Sequence, residues 1–123
     1  MNSVAIDSKR LVQEYMDAIS GKPKTAELLD QYISDDILKE HIGACEAAFP
    51  EYEMVPSLMI AEGDVVAARC IFRGTHKGQF GGVRPTGRNV STGVIIIYRV
   101  SEGRIAEHWL ELNTVGLMEQ LTR

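Results

Sequence analysis

The chain predicts an α+β fold, because helical and strand periodicities occupy separate halves of it. Up to Pro50, apolar residues recur every three or four positions. From Tyr52 onward they fall into short β-branched runs between turn residues. One run, Val94-Ile95-Ile96-Ile97-Tyr98, is apolar at every position, so both of its faces need cover.

The elements follow in order. Asp7 and Ser8 are the expected caps of a first helix, whose stripe is Leu11, Val12, Tyr15, Met16 and Ile19. Gly21 and Pro23 end it. Thr25 is placed to cap a short second helix carrying Leu28, Leu29 and Tyr32. Ser34, Asp35 and Asp36 offer caps for a third, with the stripe Leu38, Ile42, Cys45 and Phe49, closed by Pro50. Tyr52 to Ile60 reads as a strand that Pro56 confines to an edge or a bulge. Glu62-Gly63-Asp64 is a turn, Val65 to Thr75 a strand, and His76 to Asn89 a glycine-rich loop. Val90 to Val100 and Arg104 to Leu112 form a hairpin around Ser101-Glu102-Gly103. Asn113 or Thr114 then caps a terminal helix with Leu117, Met118 and Leu121.

A chain of 123 residues with 45% hydrophobic and 24% charged residues fits one domain, spanning 1–123. Three helices cannot cover both sides of a flat sheet of about four strands. Either the sheet curls around them or its second side meets another subunit, so a homodimer or higher homo-oligomer is expected. A net charge of −4 argues against nucleic acid, whose phosphates are met by Lys and Arg. No run approaches the length of a membrane span, and Met1 to Ile6 has no basic stretch leading into an apolar one. A cytoplasmic setting is expected, with Cys45 and Cys70 as free thiols. The five methionines, Met1, Met16, Met54, Met59 and Met118, are scattered as core fillers.

An ordered series of short motifs carries a resemblance. Ala48-Phe49-Pro50, Ile60-Ala61-Glu62-Gly63-Asp64, Gly74-Thr75-His76-Lys77-Gly78 and Pro85-Thr86-Gly87-Arg88 come first. Ile97-Tyr98-Arg99, Gly103-Arg104-Ile105-Ala106-Glu107-His108-Trp109 and Gly116-Leu117-Met118 follow. From about Leu11 to Leu121 the chain resembles the SnoaL-like polyketide cyclases, or ester cyclases, of the nuclear transport factor two-like superfamily. The resemblance implies a cone-shaped roll, in which a curved antiparallel sheet wraps around helices and encloses an apolar pocket. It also implies ring closure by aldol condensation without metal or organic cofactor, driven by a carboxylate in the cavity.

The chemistry that the resemblance implies is not matched position by position. The catalytic aspartate of those cyclases falls on Leu110, two residues past His108. Their polar Gln and His partners fall on Val94 and Ile96, and a second acid of many relatives falls on Asn113. The chain is also shortened between Asp36 and Lys39, where relatives carry a longer loop.

Strand alternation sets which residues share the pocket. His108, Leu110 and Leu112 should face it together, as should Val94, Ile96 and Tyr98, with Trp109 and Glu111 turned away. A β-bulge near Trp109 would reverse this and bring Glu111 in as the substitute base. His108 is the candidate proton carrier, since a histidine's ordinary pKa of about 6.5 suits that task. Tyr98 is the candidate hydrogen-bond donor to a ligand carbonyl, or a core tyrosine with a satisfied hydroxyl. Val94, Ile96, Leu110, Leu112, Phe80 and His76 are the candidate ligand contacts. Phe80 lies on a loop, Gly78 to Val83, read as a mobile flap over the mouth. His76 serves there as a ligand contact or as a fastener of that loop, and His41 is a solvated or partly packed helix residue. The histidines show no metal-ligand spacing, so no metal and no cofactor are expected.

Two readings stay open at this point. In one, the protein binds and converts a small hydrophobic or polycyclic carbonyl compound by cofactor-free cyclase, isomerase or hydrolase chemistry. In the other, it is a non-catalytic binding module or an oligomeric scaffold, which the loss of the acid at Leu110 favours.

Overall fold

The computed structural model describes residues 3–123, so Met1 lies outside the described residues. Helices α1 (Ser3–Ile19), α2 (Ala26–Tyr32) and α3 (Asp36–Ala48) precede strands β1 (Glu53–Glu62), β2 (Val65–Thr75), β3 (Asn89–Ser101) and β4 (Arg104–Leu112), and α4 (Thr114–Thr122) ends the chain. The strands form one antiparallel sheet in the order β1-β2-β3-β4. It curls around the helices without closing, which is the α+β roll expected from the sequence.

Helix α1 begins earlier than its sequence suggests. Asp7 and Ser8 are inside it and do not cap it. Ser8 belongs to the buried stripe with Val12, Tyr15, Met16 and Ile19, so packing against the sheet, not a cap, fixes this turn. Asp7 pairs with Arg10 one turn on. The other caps stand as read. Thr25 accepts from the Leu28 amide, Asp35 from the Ile37 and Leu38 amides, and Asn113 from the Gly116 amide.

The strands show the alternation that one packed face requires. On β2, Val66, Ala68, Cys70 and Phe72 are buried, and on β3, Val90, Val94, Ile96 and Tyr98. They meet Val12, Met16 and Ile19 of α1 and Leu38 and Ile42 of α3 in one core. Pro56 lies on the edge strand β1, beside a bulge between Pro56 and Leu58, where its missing N–H costs no ladder bond. Glu102 (φ 52°) and Gly103 (φ 75°) both take the left-handed backbone that a tight two-residue hairpin demands.

The side chain of Lys24 is wholly buried. Its ammonium donates to the carbonyls of Lys22 and Tyr52, lies 3.1 Å from the Glu46 carboxylate and sits 4.1 Å above the Tyr52 ring. Burial pushes its pKa down, and Glu46 opposes that shift. Among the described residues, no helix is long and apolar enough to cross a membrane.

Candidate active site

The register between β3 and β4 places the residues that alternation assigned to one face. Val94 pairs with Leu112, Ile96 with Leu110 and Tyr98 with His108, without interruption. The irregularity in this ladder lies at Arg99/Val100, opposite Glu107 and Ile105, and past it Trp109 and Glu111 stay in regular register opposite Ile97 and Ile95, so Glu111 stays outside. Glu111 is therefore not the substitute base.

Two small apolar chambers lie behind this face. One, of about 50 Å³, is walled by Phe49, Phe72, Phe80, Val94, Leu112 and Leu117 among others. The other, of about 60 Å³, is walled by Tyr15, Tyr52, Tyr98, Ile96, His41 and His108 among others. Cys45, Met54 and Leu110 belong to both walls. Each chamber is far smaller than the 300–1,000 Å³ of an ordinary small-molecule site. Leu110, at their junction, is still 40% exposed, so the hollow reaches the surface there.

Its polar end is a chain of three side chains. The Asp35 Oδ2 lies 2.7 Å from His108 Nδ1, and the His108 Nε2 lies 3.3 Å from His41 Nδ1. The Asp35 and His108 side chains are only 10% and 7% exposed. Asp35 is held by its capping role, its Oδ1 accepting two amides at the start of α3 while Oδ2 reaches β4. Backbone bonds from Ser34 and Asp35 to the Ile105 carbonyl tie that segment to β4. Burial alone would raise the Asp35 carboxyl. Hydrogen bonds from His108 and from the Leu38 and Ile37 amides, with the His108 charge, outweigh it and hold Asp35 below the usual carboxylate range. A carboxylate only accepts, so His108 Nδ1 carries a proton in this contact, and in the neutral ring the lone pair is then on Nε2.

Neither Asp35 nor His41 was singled out for chemistry in the sequence. Asp35 carried a sufficient role as a cap, and His41 had no motif around it. The usable signal was a cap carboxylate with a spare oxygen in a chain that keeps an isolated strand histidine.

The remaining candidates divide. Val94, Ile96, Leu110, Leu112 and Phe80 all line the chambers. Tyr98 lines the second chamber, wholly buried. Burial raises its pKa well above the usual tyrosine range, and a hydrogen bond with the Tyr15 hydroxyl contributes. His76 is not in either wall. It is wholly buried, its Nδ1 accepting from the Thr86 amide at 3.1 Å, and so fastens the base of the glycine-rich loop.

That loop also makes contacts elsewhere. The Lys77 and Gly78 amides donate to the Ala48 carbonyl, Phe80 and Val83 bridge each other, and Phe80 meets the Phe49 ring at 5.4 Å. Among the described residues, no group of three His, Cys, Asp or Glu side chains is arranged to hold a metal.

The sequence family described as SnoaL-like polyketide cyclase matches residues 9–121. No curated protein matches the chain. Similar solved structures include AclR of Streptomyces galilaeus, provisionally assigned as a hydroxylase. It is 28% identical, with 95% of this chain and 82% of that chain covered and a TM-score of 0.79. IdmH of Streptomyces antibioticus, provisionally assigned as a polyketide cyclase, is 25% identical over 94% of this chain and 99% of its own, with a TM-score of 0.78. A provisionally assigned SnoaL-like polyketide cyclase of Jannaschia sp. CCS1 shares the fold at 16% identity, covering 99% of this chain and 96% of its own, with a TM-score of 0.86.

Proposed function

Because the chain belongs to the SnoaL-like polyketide cyclase family, we propose that it takes up a small, largely apolar carbonyl compound and moves a proton on it without a cofactor. The Asp35–His108 pair is the centre of that proton transfer. It stands in for the acid of the cyclases that the chain resembles, whose position Leu110 fills with hydrocarbon.

The observation that carries this reading is the 2.7 Å contact between Asp35 Oδ2 and His108 Nδ1 at the polar end of an apolar hollow. A surface histidine needs no such partner. A histidine held in one tautomer by a buried carboxylate is the arrangement that general acid–base catalysis uses. Its worth is about 10²–10⁴ in rate, or roughly 3–5 kcal/mol of barrier. The reaction class is enolisation of a carbonyl compound, followed by cyclisation or isomerisation.

The test uses a generic carbon acid, 5-nitrobenzisoxazole, a small neutral ring that a base opens to a coloured phenolate. Wild-type protein is expected to speed the opening above the buffer rate, and His108→Ala to remove about 10²-fold or more of that acceleration. An acceleration unchanged in His108→Ala would end this reading.

A second reading, binding without turnover, is favoured by one observation: Val94, Ile96, Leu110 and Leu112 each present only hydrocarbon to the hollow. In that case the same protein retains an apolar ligand in calorimetry and shows no effect on the probe.

We also propose that a second copy of the chain covers the outer face of the sheet. That face exposes Leu58, Ile60 and Ile95, large apolar side chains that a second copy would cover. Arg69 and Glu111 flank Ile95 on the neighbouring strands, opposite charges that a second copy related by a two-fold axis can pair.

A further inference from the structure

We infer that His41, and not His108, exchanges the proton with the substrate, which sits in an open cleft between the first turn of α3 and β4. This deepens the proposed function and rests on it.

His108 has no nitrogen left for a substrate. Its Nδ1 is bound to Asp35 at 2.7 Å and its Nε2 faces His41 Nδ1 at 3.3 Å. The carboxylate fixes the proton of His108 on Nδ1, so a neutral His108 offers Nε2 as an acceptor. His41 Nδ1 must then carry the proton that is donated to it. The lone pair at the free end of the chain is on His41 Nε2. His41 is exposed, whereas the His108 side chain is 7% exposed. The three groups form one relay, with the carboxylate at its buried end and a base at its open end.

Both rings border two spaces. The chamber behind them is about 60 Å³, room for no more than a few atoms. The cleft in front is about 520 Å³, within the range of small-molecule sites. Its walls include Ile37, Trp109 and Leu110, large apolar side chains that are 61%, 46% and 40% exposed. Asp35 and Glu107 complete it. The lining holds large apolar side chains and no Lys or Arg to meet an anion, which suits an uncharged carbon acid with an apolar body, such as a neutral ketone.

In the step, the substrate C–H bond breaks and its proton forms an N–H bond at His41 Nε2. The electron pair stays on the substrate as an enolate. The Nδ1 proton of His41 passes to His108 Nε2, so the positive charge comes to rest beside the Asp35 carboxylate. Return of the proton to another substrate atom runs the relay backwards.

The test compares wild type, His108→Ala, His41→Phe and Ile37→Asp on 5-nitrobenzisoxazole, with folding checked by circular dichroism. His41→Phe keeps a ring at an exposed position but has no nitrogen. It is expected to lower kcat/KM as much as His108→Ala, by about 10²-fold. Ile37→Asp is expected to lower kcat/KM about tenfold. A His41→Phe variant as active as wild type, with His108→Ala inactive, overturns the inference and leaves the Asp35–His108 reading intact. Ile37→Asp at the wild-type rate overturns the cleft. A wild-type protein without any effect on the probe overturns the proposed function and this inference with it. Long-range proton–nitrogen NMR adds a readout independent of activity: neutral His41 is expected to carry its proton on Nδ1, and a proton on Nε2 overturns the relay.

Discussion

Asp35 and His108 lie 73 positions apart in the chain and 2.7 Å apart in space. Asp35 reaches that place because it caps α3 with one oxygen and leaves the other free. His108 reaches it because alternation along β4 turns it inward beside Tyr98. A common local device, the N-cap, thus supplies the carboxylate of the proposed proton-transfer pair.

Asp35→Asn separates the two roles. The amide oxygen can still cap α3, so the helix should survive, whereas Asp35→Ala should cost about 1 kcal/mol more through the lost cap. Since the Asp35 carboxyl is held below the usual range, its contribution to stability is complete above the unfolded value, about 3.9. That contribution is lost as pH falls through the lower folded value. The stability gap between wild type and Asp35→Asn in urea is therefore expected to close in acid, as pH falls through the folded value of Asp35. A gap that widens in acid would contradict this.

Thiol labelling reports on the hollow. Cys45 borders both chambers, whereas Cys70 is wholly buried beside Met16. Burial raises both thiols, that of Cys70 to about 11. Methyl methanethiosulfonate is expected to label Cys45 slowly near pH 7 and Cys70 only on unfolding, as read by mass spectrometry. Equal labelling of both in the folded protein would refute the placement.

Two glycines should respond to alanine in opposite directions. A Cβ on Gly78 would lie 2.1 Å from the Ala47 carbonyl oxygen, so Gly78→Ala must push the loop off α3, at about 1–3 kcal/mol. Gly43, inside α3, has nothing within 4 Å of such a Cβ. Gly43→Ala is expected to stabilise by up to about 1 kcal/mol. Thermal unfolding of the two variants checks both signs.

The outer sheet face supplies a prediction about assembly. Ile95 is 52% exposed at its centre. Sedimentation at micromolar concentration should show a dimer for wild type and a monomer for Ile95→Glu, with the fold retained. A monomeric wild type would leave that face without its proposed partner.

Much of the fold was legible because it is local. Strand alternation alone put His108, Leu110 and Leu112 opposite Tyr98, Ile96 and Val94, and the register pairs those residues. Thr25, Asp35 and Asn113 read as caps because a short polar side chain before a helical stripe has few other uses. The start of α1 departs from that local reading. Asp7 and Ser8 have cap chemistry, but Ser8 lies on the packed stripe, where tertiary contact overrides a local signal.

The candidate site was legible only in part. His41 meets a strand residue 67 positions away, and nothing within α3 marks that partner. The chambers depend on how far the side chains of α1, α3 and β3 interdigitate, which composition does not fix. The glycines of the loop suggested looseness, yet Gly78 is there because the backbone passes against Ala47 too closely for a Cβ.

The central claim is that a buried carboxylate holds His108 in one tautomer. Long-range proton–nitrogen NMR on histidine-labelled protein, well above the ordinary histidine pKa of about 6.5, measures this directly. The account predicts the His108 proton on Nδ1, with a resonance displaced in Asp35→Asn. A His108 proton on Nε2, or a spectrum indifferent to Asp35→Asn, would contradict it.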